Sequence, residues 1–384
     1  MLSSRIVPII LNAFFCLSLF SADLEKPERV YRLCYTQKTQ EWYEQQASLW
    51  EKEVQNNPQN ERAWYYYFFA TRYKTLGIDS QRRERLQNQI IDRMGASIPD
   101  SYLYYYIRFY HGVGDFNDLK KAYWINPNDP DLYWEFMRYY DDEADWDNRK
   151  KFCSKLYKSK DIASGLLEYN YNVLTSTDSN AILLTNGDND TYPVWVLQDA
   201  KDVRKDVLVL NAHHIFVDRQ YLYVRLKEKN IIVNPNTFSD KNVDSFLKDF
   251  TKTISERNPE VPIFVALTVY EDYIQSIKDN LYLVGLAHQY SENPIDSISI
   301  LKNNIENNFR LDYLDYNWYD DLHVSHNDLN RFNTNYVDLF LEIQNNYFNN
   351  GDIETAKRWK NKSLFLAEKA GNKALITKIN SICW

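Results

Sequence analysis

The sequence contains little glycine and cysteine, and only its first residues form a long apolar run. Of its 384 residues, 9 are Gly and 4 are Cys. This composition excludes a disulfide-dense small scaffold and gives little support for Gly-rich phosphate loops. The formal net charge is -8 and no tract is dense in Lys or Arg, which argues against nucleic-acid binding. One short apolar segment cannot build a membrane protein with many spans.

The common catalytic motifs are also missing from the sequence. It has no Gly-x-Ser-x-Gly elbow, no His-Glu-x-x-His pair, no P-loop and no Gly-x-Gly-x-x-Gly string. Aromatic residues are abundant instead, with 10 Trp, 31 Tyr and 19 Phe, and charged residues make up 26% of the chain. This much apolar surface supports two or three folded domains, so we expect a globular protein without the signature of a common enzyme.

The first 22 residues have the pattern of a secretory signal peptide. Arg5 precedes an apolar run of 15 residues, Ile6 to Phe20, and the small residues Ser21 and Ala22 follow it. An uncleaved anchor is the alternative. The sequence therefore predicts export across the inner membrane and a periplasmic or cell-envelope location. Membrane contact is then expected only through an uncleaved leader or a partner.

The cysteines indicate no disulfide framework. Removal of the leader leaves Cys34, Cys153 and Cys383, an odd number without a Cys-x-x-Cys pair. One bridge at most could form. We favour the interpretation that all three are small buried apolar residues.

Residues 23–176 have the pattern of paired helices. A helix is predicted over Glu41 to Val54, and Asn57-Pro58 then separates it from the next helix. A second Asn-Pro turn stands at Asn126-Pro127, 69 residues later, a distance that fits two repeats of about 34 residues. The segment resembles degenerate tetratricopeptide repeats, which implies a surface for a protein partner. An aromatic stripe is expected to form the core between repeats, with ligand stacking as the alternative: Trp64, Tyr65, Phe68 and Phe69.

Residues 177–290 change to an alternation of short apolar runs and helical patterns. Such alternation predicts a small α/β domain with a parallel sheet. The predicted helices cover about 193–200, 217–228 and 243–257. The predicted strands are Ala181 to Thr185, Asp206 to Asn211, Ile231 to Val233 and Pro262 to Thr268.

The string from Ala181 to Pro193 (AILLTNGDNDTYP), followed by residues 203–211 and 281–287, resembles the soluble C-terminal region of the DUF2723 family. Its members are large membrane proteins related to protein O-mannosyltransferases. The likeness extends over about residues 179–371. Those relatives carry an N-terminal array of membrane spans that holds the transferase site, and here a signal peptide and helical repeats stand in its place. The resemblance implies a shared extracytoplasmic module and does not by itself imply a shared transferase activity.

Polar residues follow the first predicted strand directly and precede a helix. In an open α/β sheet, ligands bind at the carboxyl ends of the strands. Asp188 and Asp190 have a spacing with which two carboxylates can hold a divalent cation, and no other cofactor is expected. The alternative is that Asp190 or Thr191 caps the helix while its neighbours form the turn. The ligand-binding candidates are Asn186, Gly187, Asp188, Asn189, Asp190, Asn211 and His213.

Residues 291–384 are predicted to be helical. Thr334 to Asn349 and Ile353 to Ala370 form the clearest helix hairpin in the chain, with a turn at Asn350-Gly351-Asp352. This pair resembles one tetratricopeptide unit. The predicted fold class is therefore α/β plus α: a helical repeat array, a small parallel-sheet α/β domain and a C-terminal helix hairpin.

Two functional hypotheses follow from these patterns. The first is a non-catalytic extracytoplasmic scaffold whose repeats bind a protein partner and link it to a cell-envelope or protein-glycosylation assembly. The second is a protein or enzyme that binds a glycan or sugar nucleotide with the loop from Gly187 to Asp190. The sequence favours the first, because it requires none of the missing motifs.

Overall fold

The structure of the chain, a computed structural model, describes residues 26–77, 80–316 and 323–382. The predicted leader and Cys383 lie outside these residues. Within the described part, no helix is both long and apolar enough to cross a membrane. Residues 26–38, here called the N-terminal strap, form neither helix nor strand and precede the first helix.

Eight helices follow the strap and form an array of hairpins. Helix α1 packs on α2, α4 on α5, and α6 on α7, with α3 between the first two pairs. Side chains of Thr39, Asn60, Ser101, Asp115, Asp129 and Asp145 accept backbone N–H groups and cap six of these helices. The bounds are α1 Gln40–Asn56, α2 Glu61–Lys74, α3 Ser80–Ser97, α4 Tyr102–His111, α5 Phe116–Ile125, α6 Pro130–Asp142, α7 Trp146–Ser159 and α8 Ser164–Thr175.

The two predicted Asn-Pro turns separate helices as expected. Asn57 ends α1 and Asn126 ends α5, so each turn stands between two helices. The predicted aromatic stripe on α2 is fully buried in the array: Trp64, Tyr65, Phe68 and Phe69. These aromatic side chains therefore form part of the core of the array, as predicted.

A five-stranded sheet with strand order β2-β1-β3-β5-β4 follows the array. Strand β1 pairs in parallel with β2 and β3, which confirms the predicted parallel sheet for three strands. Strand β5 pairs antiparallel with both β3 and β4, so the sheet is mixed. The strands are β1 Ile182–Thr185, β2 Leu208–Asn211, β3 Ile263–Ala266, β4 Leu281–Leu283 and β5 Ala287–Tyr290; the helices between them are α9 Asp188–Lys201, α10 Ala212–Val217, α11 Arg219–Glu228 and α12 Val243–Arg257.

Two details of the predicted sheet are wrong. Ile231 to Val233 is not a strand: Ile231 and Val233 are buried, but Ile232 is 83% exposed and the segment pairs with no strand. The sheet is also mixed and not wholly parallel. Only residues 284–286 separate β4 from β5, and a connection that short can join only antiparallel strands.

The C-terminal region is helical, as predicted. Helices α16 and α17 pack along each other as the predicted hairpin, and Ala356 is buried between them. The fold class expected from the sequence, helical hairpins together with a small sheet, is thus confirmed. The elements are α13 Ser297–Asn303, a π-helical turn Asn304–Asn308, α14 Asp312–Asp315, α15 His326–Phe332, α16 Tyr336–Asn349, α17 Ile353–Lys369 and α18 Lys373–Asn380.

A buried ion network joins the helical array to the α/β unit. The Arg149 guanidinium of α7 lies 2.5 Å from an Asp141 oxygen of α6 and donates to both oxygens of Asp199 of α9, at 2.9 and 3.1 Å. The Tyr221 hydroxyl of α11 donates to the other Asp141 oxygen at 2.7 Å. Because all four side chains are largely buried, the network fixes four helices relative to one another.

Asn172 of α8 joins the C-terminal region to the same body. Its side-chain amide donates to the Arg310 carbonyl at 2.8 Å and to the Tyr336 hydroxyl at 2.7 Å, and its oxygen accepts the Arg310 N–H at 2.8 Å. The side chain is fully buried. The helices after the sheet therefore pack back against the last helix of the array.

Candidate functional site

The predicted loop lies at the carboxyl edge of the three parallel strands. Thr185 at the end of β1 pairs in register with Asn211 at the end of β2. Its hydroxyl is 2.7 Å from that of Thr191 in the first turns of α9. These contacts position the start of α9 directly beyond the sheet, as a β-loop-α unit requires.

Asp190 holds the loop in shape. Its carboxylate accepts the backbone N–H groups of Asn186 and Gly187 at 2.8 and 2.7 Å, and also the hydroxyl of Thr268 from the loop after β3. The residue is only 2% exposed. Burial raises the pKa of Asp190, and these hydrogen bonds oppose the rise. Asp190 thus has the alternative capping role: it is the third residue of α9, and its carboxylate accepts the N–H groups of the two residues that precede the helix.

Gly187 does not need to be glycine. It is the N-cap of α9 and has φ -146°, an extended conformation open to any residue. A Cβ atom placed there would meet nothing within 4 Å. The loop therefore differs from a Gly-rich phosphate loop, in which glycine allows close backbone approach to the ligand.

Asn211 supports the loop from the neighbouring strand. Its side-chain amide donates to the Asn186 carbonyl at 2.7 Å, and its oxygen accepts the His214 N–H at 2.9 Å to cap α10. His213 is exposed and its ring centre lies 6.4 Å from that of Tyr273. Neither Asn211 nor His213 lines the cavity described below.

Asp188 and Asn189 present their side chains differently from Asp190. The Asp188 carboxylate forms no hydrogen bond to the described residues and is accessible to solvent. Protein nevertheless surrounds it on several sides. This partial desolvation raises its pKa, while the positive charge of Arg32 lowers it. Asn189 is fixed through its backbone, because its carbonyl accepts the buried Asn170 amide at 2.9 Å.

A cavity of about 640 Å³ opens in front of this loop. Its wall comes from the N-terminal strap, from the loops after β1 and β3, and from the region around α15, so residues distant in sequence enclose it. A volume of this size suits a small ligand. The lining consists of Leu33, Cys34, Gln37, Leu166, Asn186, Gly187, Asp188, Asn189, Asp190, Leu267, Thr268, Tyr270, Ser325, Asp328, Leu329, Arg331, Phe332 and Asn335.

The metal prediction for Asp188 and Asp190 remains a prediction. Both residues line the cavity, but the Asp190 oxygens already accept three hydrogen bonds. Across residues 26–77, 80–316 and 323–382, no group of three or more His, Cys, Asp or Glu side chains is arranged to hold a metal ion.

Cys34 and Cys153 are free thiols. Cys34 lines the cavity, and burial raises its pKa to about 12. Burial also raises the pKa of Cys153, which lies in the core of α7. Because the thiolate is the reactive form, neither residue is poised as a nucleophile near neutral pH.

One comparison with known proteins covers this loop. The family model for TMEM260-associated domain 2 matches residues 166–231. This stretch runs from α8 to just beyond α11 and contains all seven predicted ligand-binding residues. The match is to this associated domain and not to the DUF2723 family itself.

The other comparisons are with curated proteins and with solved structures. Among curated proteins there is no significant match. Among solved structures, the crystal structure of yeast Tom70 is similar, with 13% sequence identity and a TM-score of 0.26. The alignment covers 89% of this chain and 59% of Tom70.

Proposed function

We propose that the chain is a non-catalytic extracytoplasmic scaffold or binding protein that acts with a cell-envelope or protein-glycosylation assembly. The matched family is named for its association with TMEM260, which is classed with protein O-mannosyltransferases. Helical hairpins flank the matched segment on both sides and offer extended surfaces for a protein partner. The leader predicted at residues 1–22 would deliver the chain to the periplasm or cell envelope.

One exposed aromatic residue carries this proposal. Trp124, near the end of α5, is 85% exposed, and the adjacent Ile125 is also exposed. Tryptophan is the residue type most enriched among the side chains that dominate protein–protein binding energies. A tryptophan with this exposure on a helical array is therefore expected to be an anchor for a partner.

The substitution Trp124→Ser should weaken association with the partner. We expect at least about a tenfold loss of affinity, because truncation of an anchor residue typically costs about 2 kcal/mol or more. The measurement is native electrophoresis of membrane and periplasmic extracts from the source organism, with the tagged full-length chain followed by immunoblot. Wild type should migrate in a high-mass complex, and Trp124→Ser should migrate mainly free.

Ile232→Ser is the matched control, because Ile232 is 83% exposed but lies on the α/β unit. It should leave the complex intact. Migration of wild type as free protein in every extract, or equal retention of Trp124→Ser and wild type in the complex, would contradict the proposed contact.

A second candidate function rests on the cavity at the sheet edge. The side chains of Asp188, Asn189 and Gln37 form no hydrogen bond to the described residues, and Tyr270 and Phe332 add aromatic surface to the same wall. Free carboxylate and amide groups beside aromatic rings suit a hydroxyl-rich ligand such as a glycan or sugar nucleotide.

The cavity hypothesis predicts a ligand response that depends on Asp188. Thermal-shift screening of the full chain should use oligosaccharides, sugar nucleotides and divalent cations, with isothermal titration of any hit. Asp188→Asn should weaken binding at least about tenfold, since it removes a charge-assisted hydrogen bond. Asp279→Asn, which changes an exposed carboxylate outside the cavity, should bind like wild type. A hit with equal affinity in both variants would exclude this site.

A further inference from the structure

The N-terminal strap crosses the helical array as a bound peptide would. The Glu28 N–H donates to the Gln46 side chain of α1 at 2.7 Å, and the Trp50 indole of α1 donates to the Glu28 carbonyl at 2.8 Å. Val30 is fully buried. The strap thus binds through both its backbone and an apolar side chain while keeping no regular structure of its own.

Arg32 is the deepest polar residue of the strap. Its guanidinium is 3.3 Å from Glu135 and 3.7 Å from Asp131, both on α6, and lies over the Tyr110 ring of α4 at 5.7 Å. The residue is 7% exposed. Two carboxylates and an aromatic ring form the environment in which proteins recognise an arginine.

The strap continues to the far end of the array. The Tyr35 hydroxyl donates to Asp161, in the loop between α7 and α8, and the Trp134 indole of α6 donates to the same carboxylate oxygen at 2.8 Å. Between Glu28 and Tyr35, the strap therefore contacts α1, α4, α6 and the loop before α8. We call the surface under it, marked by Gln46, Tyr110, Asp131, Glu135 and Asp161, the strap groove.

We infer that the strap groove is a recognition site for extended, arginine-bearing peptide segments, and that residues 28–35 occupy it in cis. The inference deepens the proposed function and rests on it for the existence of a partner. It names the chemistry of the partner segment: an extended stretch with an arginine between apolar or aromatic residues, able to exchange with the strap.

The fit of Arg32 is incomplete, which favours exchange. The guanidinium is ion-paired with Asp131 and Glu135 but makes no hydrogen bond to the described protein atoms, and its Nη1 is buried without a hydrogen-bond partner. The nearby Tyr106 hydroxyl is also buried without a partner. A buried ion pair recovers the cost of removing its charges from water only when hydrogen bonds also satisfy its N–H groups. An arginine that formed bidentate hydrogen bonds with Asp131 or Glu135 would bind more tightly than the strap's own arginine.

Space for an incoming chain exists beside the strap. A cavity of about 420 Å³ lies between Arg32 and the turn at Asn126 to Asp131, with Arg62 and Tyr65 of α2 on its wall. The other end of the strap supplies Leu33 and its neighbours to the cavity at the sheet edge. Exchange in the groove would therefore also change that second cavity.

The test uses a fluorescently labelled peptide with the sequence of residues 26–38 and the full-length mature chain. Arg32→Glu places a carboxylate between two others and should release the strap, seen as increased hydrogen exchange over residues 26–38. The peptide should bind Arg32→Glu at least tenfold more tightly than wild type in an anisotropy titration. A peptide carrying its own Arg32→Glu change should bind neither protein.

Arg29→Glu is the matched control, because Arg29 is exposed and lies over Tyr31 of the strap itself. It should keep the strap protected and the peptide unbound. If Arg32→Glu does not fold, Arg32→Gln takes its place. Failure of both variants to fold would identify Arg32 as part of the folding core and overturn the inference.

Two further outcomes overturn it: a folded Arg32→Glu protein with unchanged exchange over the strap, or a released strap without peptide binding. The result is separable from that for the proposed function. Peptide binding with no complex in the native extracts would support the strap groove as a peptide site and contradict the proposed partner assembly. If Trp124→Ser loses the complex but the peptide binds neither protein, the scaffold function is supported and the inference about the strap groove is overturned.

Discussion

Asp190→Ala is expected to lower the free energy of unfolding by about 3 to 4 kcal/mol, because two half-buried backbone N–H groups lose a charged acceptor and hydrogen bonds to charged groups contribute about 1.5 to 3 kcal/mol each. The carboxylate accepts the N–H groups of Asn186 and Gly187 and the hydroxyl of Thr268, and it is almost fully buried. Its loss would therefore loosen both loops at the sheet edge. Urea unfolding followed by tryptophan fluorescence gives the difference.

Asp188→Ala is the matched control for this prediction. Asp188 carries the same carboxylate on the same loop, but makes no hydrogen bond to the described residues and is accessible to solvent. We expect a loss of less than about 1 kcal/mol, from its position at the helix N-terminus. Equal stability of the two variants would show that Asp190 does not organise the loop and that its oxygens are available to a ligand or cation.

Arg149→Ala is expected to cost about 3 to 5 kcal/mol, because removal of one partner leaves buried charges uncompensated. Asp141 and Asp199 would both lose their guanidinium partner, and α7 would lose its ion pair with α9. Asp141 would keep only the Tyr221 hydroxyl. Chemical denaturation should show the loss as a lower midpoint.

Arg138→Ala provides the comparison for Arg149. Arg138 also pairs with carboxylates, Glu135 at 3.1 Å and Asp142 at 3.7 Å, but its side chain is 42% exposed. Exposed ion pairs contribute about 1 kcal/mol or less. A cost for Arg149→Ala as small as that for Arg138→Ala would contradict a network that fixes the array to the α/β unit.

Local sequence signals predicted the helices well. Val243 to Arg257 coincides with α12, because its apolar spacing and the cap at Asn242 act within the segment itself. The strand predicted at Ile231 to Val233 was wrong because strand formation depends on residues outside the segment. A short apolar run becomes a strand only when another strand pairs with it. Here no strand pairs with the segment, and Ile231 and Val233 bury their side chains in the core from a loop.

Only part of the candidate site could be predicted from the sequence. The position of Asn186 to Asp190 could be predicted, since polar residues after a buried strand lie at a known edge of the sheet. The helix start could not: α9 begins at Asp188 and not at Pro193, so Asp188 to Asp190 form its first turn. The sequence could not show that Asp190 is hydrogen-bonded within the protein while Asp188 is accessible to solvent. This difference depends in part on Thr268, which comes from another loop. No local sequence pattern predicted that the strap and the α15 region line the cavity, since only tertiary packing brings them there.

The most direct test of the central claim, protein contact through the helical array, is site-specific photo-crosslinking in the source organism. A photoreactive phenylalanine analogue replaces Trp124 in one strain and Ile232 in another, and the adducts are identified by mass spectrometry. The account predicts an adduct with one envelope or glycosylation protein at position 124 and none at position 232. No adduct at position 124, or the same adducts at both positions, would contradict it.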